Sequence, residues 1–358
     1  MPPATAHLNA IGLAVPAHDV HRAFLDHVRT RIVGERRRDL FERMAERSGI
    51  AHRRSVLAHD RPPEAGGEIF YAPDRFPGTG ERMRRFEREA PGLAAVAVED
   101  LLCKAGPDAL AGVTHLVVTG CTGFAAPGIE RDLVERFALP RTVERTLVGF
   151  MGCNAAFNAL KIARHAVRSD PAARVLVVSL ELCTLHFQDT STMEQILCFM
   201  LFADGCAAAL VTAESAGLAL DRFHSTLLPA SADDITWRIG DAGFDMRLSG
   251  RVPGLIGRGL PAEMPAILGD RPRAAVDLWA VHPGGRSILD AVEDTLALPP
   301  DALATSRGVL RDFGNMSSAT VMFVLERMMR APPAGRSGVA MGFGPGLSVE
   351  AMAFREVG

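Results

Sequence analysis

Lysine is almost missing from this sequence. Lys104 and Lys161 are the only two, and arginine supplies nearly all the positive charge. We read this as codon usage before function. None of the six cysteines (Cys103, Cys121, Cys153, Cys183, Cys198 and Cys206) belongs to a CxxC pair, which argues against a zinc knuckle or a dithiol redox motif. No run of about 18 apolar residues occurs, so no membrane span is expected. The basic start of a secretory signal is also missing: the first arginine or lysine is Arg22, and Pro16 interrupts the early apolar stretch. A net charge of −3 gives no global attraction to nucleic acid. These absences predict a cytoplasmic protein with reduced thiols. What is present is a globular composition: 358 residues, 48% hydrophobic and 23% charged, enough for two ordinary domains or one large α/β unit.

The first hundred residues read as mostly helical and charged, with residues 29–54, "RTRIVGERRRDLFERMAERSGIAHRR", the most basic segment. From Val113 short β-rich runs alternate with helical patterns: "THLVVTG", "GIERDLVERFAL", "RTLVGFMG", "CNAAFNALKIARHAVRSD", "ARVLVVSLELC". That alternation predicts parallel strands with crossover helices. "GCAAALVTAE" and "GLALDRFHST" read as an antiparallel pair closing the first half. The second half repeats the texture. "AVDLWAVHPGG" is a strand and turn, "RSILDAVEDTLAL" and "GNMSSATVMFVLERMM" are helices, and "SGVAMGFGPGLSVEAMAFR" is a closing hairpin. The expected division is 1–213 and 214–358, two versions of one unit. Gly66-Gly67 and the stretch from Ala331 to Gly335 are ordinary loop signals.

Three residues stand out. Cys153 opens the helix "CNAAFNALKIARHAVRSD", which is apolar nearly all round and therefore central. Free N–H groups and the positive dipole end favour a thiolate there, although a cysteine can equally be a small apolar filler. His282 ends the strand run "VDLWAVH" before a glycine turn, at the sheet edge where open α/β folds place ligand chemistry. Asn315 heads its own apolar helix, where asparagine is also a common N-cap. If the halves are duplicates, their two helix N-termini pack at a pseudo-twofold axis and bring Cys153 and Asn315 together.

The segments "GFMGCNAAFNAL", "WAVHPGGRSILDAVEDTLAL", "LRDFGNMSSATVMFVLERM" and "GFGPGLSVE" together resemble the type III polyketide synthases, the chalcone synthase superfamily. The resemblance runs from about Ile32 to the C-terminus. It implies a thiolase fold, with two βαβαβαββ halves forming an αβαβα core. It further implies Cys153, His282 and Asn315 as a catalytic triad. Its substrates would be acyl-CoA and malonyl-CoA, its assembly a homodimer, and it would use neither metal nor organic cofactor. In such a site Cys153 would hold the acyl group and His282 would support the thiolate as an ion pair. His282 and Asn315 would stabilise the enolate left when malonyl-CoA loses carbon dioxide.

The resemblance also implies residues around this centre. Arg43 and Arg47, four apart on one helical face, match CoA-holding positions, whereas Leu40 stands where the family has a third cation. A solvated face paired with Glu42 and Glu46 is the alternative. Phe202 matches a gating phenylalanine, and Met246 replaces a second one. Trp237 falls where plant enzymes carry glycine, Ala126 where they carry methionine, and Cys121 where they carry threonine. Cys121 is expected to shape the pocket rather than catalyse. His186 falls near another pocket position, and "GFGPG" (Gly342, Phe343, Gly344, Pro345, Gly346) matches the loop beside the cyclisation cavity. These departures resemble bacterial members that make alkylpyrones, alkylresorcinols or small aromatics. A ketoacyl synthase that initiates fatty-acid synthesis is the nearest enzyme alternative. Hydroxymethylglutaryl-CoA synthase is more distant because it would need an acid/base glutamate. A non-catalytic acyl-CoA-binding protein is the alternative of another class.

Overall fold

The computed structural model describes residues 4–58, 70–72, 75–330 and 335–357. Gly66-Gly67 and residues 331–334 lie outside the described residues. The first half runs β1 (His7–Ala14), β2 (His18–Asp19), α1 (His21–Arg31), α2 (Glu35–Ser48), β3 (Arg54–Ser55), α3 (Thr79–Ala105), β4 (His115–Gly120), α4 (Ile129–Arg136), β5 (Glu144–Gly149), α5 (Ala155–Ser169), β6 (Val175–Leu182), α6 (Met193–Leu201) and β7 (Asp204–Thr212). The second runs β8 (Gly217–Leu227), β9 (Ile235–Gly240), β10 (Gly243–Leu248), α7 (Val252–Leu268), β11 (Leu278–Val281), α8 (Arg286–Thr295), α9 (Ala304–Phe313), α10 (Thr320–Met329), β12 (Ser337–Gly344) and β13 (Ser348–Val357).

The main sheet has nine strands in the order β11-β12-β13-β8-β1-β7-β6-β4-β5. Its two parts carry the same plan. β1-β7-β6-β4 and β8-β13-β12-β11 match strand for strand, with the same parallel and antiparallel relations. The first half has the full order β1-α3-β4-α4-β5-α5-β6-β7. In the second half α9 stands where β5 stands in the first. The two parts join along β1 and β8, through His7↔Ala219 and Leu8↔Leu218. α5 and α10 are buried between them with residues of both sheets, while α3 and α4 cover one outer face and α7 and α8 the other. These are the five layers expected of a thiolase fold.

Two expectations need correction. β7 and β8 do not pair with each other; β1 lies between them, and both run antiparallel to it. The four residues between β7 and β8 carry the chain past β1 rather than reversing it. The opening segment is not only helical and charged, since His7–Ala14 is the strand that joins the halves. On the side that α3 covers, its residues Ala10, Gly12 and Ala14 are small because the helix lies directly on them. A Cβ at Gly12 would sit 2.2 Å from the Ala97 carbonyl oxygen and the Leu101 nitrogen.

Candidate active site

The two sandwiched helices begin in the same way. Each is preceded by a short 3-10 turn, Gly152–Asn154 before α5 and Ser317–Ala319 before α10. Positive φ angles shape both approaches: Phe150 at 58° and Gly152 at 78° in the first, Ser317 at 46° in the second. Glycine is required at 152 because a Cβ would come within 2.1 Å of Pro345 Cδ. The turns meet, so the Ser317 and Asn315 side chains lie beside the Cys153 thiol.

Asn315 is 1% exposed and its amide is held from both ends. Its Oδ1 accepts the Ser317 backbone N–H at 2.9 Å, and its Nδ2 donates to the Gly284 carbonyl at 3.2 Å. One Nδ2 hydrogen is left over. The Gly284 contact brings in the loop after β11, which carries His282. That ring is 1% exposed, and neither nitrogen has a hydrogen-bond partner among the described residues. It lies against Gly284 and Gly342; a Cβ on Gly342 would be 3.4 Å from His282 Cβ. Burial alone pushes the imidazole down to about 3, so it is neutral at ordinary pH. Burial pushes the Cys153 thiol up to about 11, partly offset by the neighbouring Ser317 and Asn315 side chains. Burial thus favours the neutral form of both Cys153 and His282, and no hydrogen bond joins them among the described residues.

Beneath the thiol lies a residue that the sequence reading passed over. Glu181 is fully buried and accepts Ser318 Oγ at 2.6 Å, Cys121 N–H at 2.9 Å and Thr122 Oγ1 at 2.9 Å. It ties the first half to the second. Burial raises its carboxyl group, and its charge in turn raises both Cys121 and Cys153. The signal was available: "ARVLVVSLELC" is an apolar strand interrupted by a single acid.

Cys121, Phe202, Trp237, Met246 and Pro345 line one chamber together with Cys153. Thr122, Cys183, Ile235 and Ser317 line it too, and the sequence reading had not singled them out. Cys121 Sγ accepts the Gly152 N–H at 3.0 Å, so it shapes the turn that presents Cys153. Trp237 Nε1 donates to the Cys121 carbonyl at 2.7 Å. His186 stands behind this wall. Its Nε2 bonds the Thr122 carbonyl at 2.7 Å, its Nδ1 accepts the Phe244 N–H at 3.0 Å, and the ring stacks on Phe244. Gly342 and Gly344 make room for the site instead of lining it: a Cβ at 344 would meet the Asn154 amide at 2.6 Å. Phe343 packs in the outer core of the second half, and Gly346 turns the chain at φ 66°. Ala126 is not in its own chain's chamber. It is exposed, close in sequence to Ala125 and Pro127, which share a surface hollow with Leu147.

Arg43 and Arg47 are exposed on α2, and neither has an ion-pair partner among the described residues. Glu42 instead pairs with Arg29 at 2.8 Å. The paired, solvated face is therefore not formed. A second, larger cavity adjoins the chamber and shares Cys183 and Phe202 with it. Its walls are largely aromatic, with Phe24, Phe70, Tyr71, Phe76, Phe187 and Phe199. No described helix is long and apolar enough to cross a membrane.

Comparison with known proteins agrees with this architecture. Residues 3–215 match the model for the N-terminal domain of chalcone and stilbene synthases, and residues 220–358 match the model for the C-terminal domain. An alpha-pyrone synthesis polyketide synthase-like protein of Mycobacterium tuberculosis is 33% identical, over 99% of this chain and 92% of its own. Bisdemethoxycurcumin synthase of Oryza sativa is 36% identical, over 88% of this chain and 82% of its own. Among solved structures, PKS-I of the brown alga Ectocarpus siliculosus superposes with a TM-score of 0.92 at 28% identity, covering 100% of both chains. The 1,3,6,8-tetrahydroxynaphthalene synthase of Streptomyces coelicolor, a bacterial type III polyketide synthase, superposes at 0.86 with 28% identity, over 98% of this chain and 99% of its own.

Proposed function

Because the chain belongs to the chalcone and stilbene synthase family, and is thus an acyltransferase of the type III polyketide synthase class, we propose that Cys153, His282 and Asn315 carry out its chemistry. The observation that carries this is the meeting of a thiol from one half with a fixed amide from the other, which bonds the Gly284 carbonyl two residues beyond the buried imidazole of His282, whose two nitrogens have no partner among the described residues. Neutral His282 takes the Cys153 proton as the sulfur attacks the carbonyl of an acyl-CoA. The C–S bond to CoA breaks, and the leaving thiolate takes that proton back. Malonyl-CoA then enters. His282 Nε2–H and the free Nδ2 hydrogen of Asn315 donate to its thioester oxygen. The carboxylate leaves as carbon dioxide, and the enolate attacks the Cys153 thioester. The chain gains two carbons and Cys153 is released as a thiolate. Asparagine suits this site because it donates without titrating. The sequence requires no redox step and calls on no metal or organic cofactor.

Finer features follow from the same reading. The unpaired Arg43 and Arg47 hold CoA phosphates at the rim. The aromatic cavity beyond Phe202 and Cys183 receives the apolar tail of the starter, because an acyl group on Cys153 has its other exits narrowed by Trp237 and Met246. With little room to fold a long polyketide, release as a short alkylpyrone is favoured. The name of the mycobacterial relative supports that product class. A second copy of the chain pairs at β5, which ends the sheet and exposes Leu147 at 52% beside Met151 at 43%. The two halves are read as 1–213 and 214–358, divided between β7 and β8. Six free cysteines suit the cytoplasm.

The test is mass spectrometry of products from purified protein given malonyl-CoA and acyl-CoA starters of increasing length. Pyrones from a medium or long starter are expected. Condensation only with a malonyl-carrier protein would replace this reading with initiation of fatty-acid synthesis. No covalent acyl group on Cys153 with any starter would leave only acyl-CoA binding.

A further inference from the structure

Arg53 takes no part in the bond-making steps above; it borders the aromatic cavity, yet the residue is only 2% exposed, with Nη2 unpartnered among the described residues. A buried charge is unfavourable unless it is well hydrogen-bonded, so its bonds identify what it is for. Nη1 donates to the carbonyl oxygens of Phe199 and Phe202, both at 2.7 Å, and Nε donates to His21 Nδ1 at 3.0 Å. Phe199 lies in the last turn of α6, whose carbonyls have no helical partner and favour a cation. The guanidinium carbon sits 4.7 Å over the ring of Phe24. Asp204 and Asp19 supply compensating negative charge, although burial still pulls Arg53 down to about 10.

The segment that Arg53 grips is the one that touches Asn315. Phe202 and Asn315 form a parallel bridge. The Asn315 N–H donates to the Leu201 carbonyl, and the Ala203 N–H donates to the Asn315 carbonyl, each at 2.9 Å. The arginine stem closes the other side. Gly314 has φ 71°, and a Cβ there would lie 2.9 Å from Arg53 Cγ and 3.0 Å from the Leu201 oxygen. The backbone of Asn315 is therefore hydrogen-bonded to the α6–β7 junction, and both that junction and Gly314 rest on one side chain from the chain's helical opening segment.

We infer that Arg53 is a positioning residue. It locks the α6–β7 junction against Gly314 and Asn315, and so sets where the Asn315 amide points in the chamber. This rests on the reading that Asn315 stabilises the enolate. Lysine loosens this grip: an ammonium at the Nη1 position reaches the two carbonyls but leaves His21 Nδ1 without its donor and lacks the planar group that lies over Phe24.

The experiment is a double-mutant cycle with Arg53→Lys, Asn315→Ala and both together, measured on malonyl-CoA decarboxylation and on single-turnover acylation of Cys153. Arg53→Lys should lower kcat for decarboxylation by roughly tenfold or more, since a displaced group can lose up to about a hundredfold. KM for malonyl-CoA and the rate of acylation by acetyl-CoA, whose acyl group is too short to enter the aromatic cavity, should stay within about twofold of wild type. In the Asn315→Ala background the same change should have no further effect. Additive losses, or acylation falling in step with decarboxylation, would overturn the inference. Should Arg53→Lys fail to fold, His21→Leu loosens the same grip more gently. It should give a smaller loss that also vanishes with Asn315→Ala, and an additive loss there counts against Arg53 equally. If Asn315→Ala leaves decarboxylation untouched, the enolate reading itself fails, and the role of Arg53 fails with it. An additive cycle on a damaged Asn315→Ala enzyme removes Arg53 alone.

Discussion

At Gly152–Asn154 the chain enters α5, and at Ser317–Ala319 it enters α10. The two turns occupy equivalent places in the duplicated halves, and the helices behind them are both buried between the sheets. They use the position differently. The first turn lifts a side chain into the chamber: Phe150 and Gly152 take positive φ so that Cys153 stands clear at the helix end. The second pins a side chain down. Asn315 has its oxygen on Ser317 N–H, one amide hydrogen on the Gly284 carbonyl and its backbone bridged to Phe202. A nucleophile must move along the reaction path, whereas a donor to developing charge works best when it is already fixed. One architecture duplicated and then divided between these tasks accounts for an active site at the seam.

The division can be broken by removing each partner. Cys153→Ala should abolish chain extension, because no thioester forms, yet leave slow malonyl-CoA decarboxylation since His282 and Asn315 remain. Asn315→Ala should lower decarboxylation and extension together, by about 10²–10³ as for an oxyanion donor. Product analysis alongside release of labelled carbon dioxide reads both. Full product from Cys153→Ala, or extension lost with decarboxylation intact in Asn315→Ala, would show that the turns do not divide the work in this way.

A smaller effect concerns charge. With the Cys153 thiol pushed up to about 11, only a small thiolate fraction exists at neutral pH. Alkylation by iodoacetamide should therefore speed up about tenfold per pH unit from about pH 7 to about pH 9, since the thiolate is the nucleophile. The Cys153 peptide, followed by mass spectrometry, reports the rate. A rate already flat across that range would mean that Cys153 and His282 form an ion pair in solution, and that the first turn is as preset as the second.

Much of this site could be read from the sequence, because duplication leaves a trace in texture. The matching textures at Gly152-Cys153-Asn154 and Gly314-Asn315-Met316 mark both helix approaches, but the equivalent turns are Gly152–Asn154 and Ser317–Ala319, and α10 starts at Thr320, five residues beyond Asn315. Strands in pairing order were harder to read. β1 is eight residues long and rich in small side chains, because α3 presses on it, so it lacks the apolar signature of β6. Missing it made β7 and β8 look like neighbours. Polar residues buried by contact across the seam were not legible either. Glu181 and Ser318 lie far apart in the chain and make sense only as a bonded pair. Ala126 illustrates the opposite limit, since a position matched to the pocket by resemblance alone is exposed on the surface here.

The finest test concerns the wall on the first turn's side. Trp237 faces Met246 across the β9–β10 hairpin and bonds the Cys121 carbonyl, while Cys121 in turn holds Gly152. The indole thus does two things: it supports the turn that presents Cys153, and it fills chamber space. Trp237→Phe keeps an aromatic wall but removes the N–H donor. Trp237→Ala removes both. If space governs the product, Trp237→Ala should shift it toward species longer by one C2H2O unit, with total turnover reduced by no more than a few fold, and Trp237→Phe should keep the wild-type product. If support of the turn governs instead, the two variants should lose Cys153 acylation to a similar degree, with no longer product. Product masses with one starter separate these outcomes. The second outcome would mean that the mobile half of the site depends on an outside brace as much as Asn315 does.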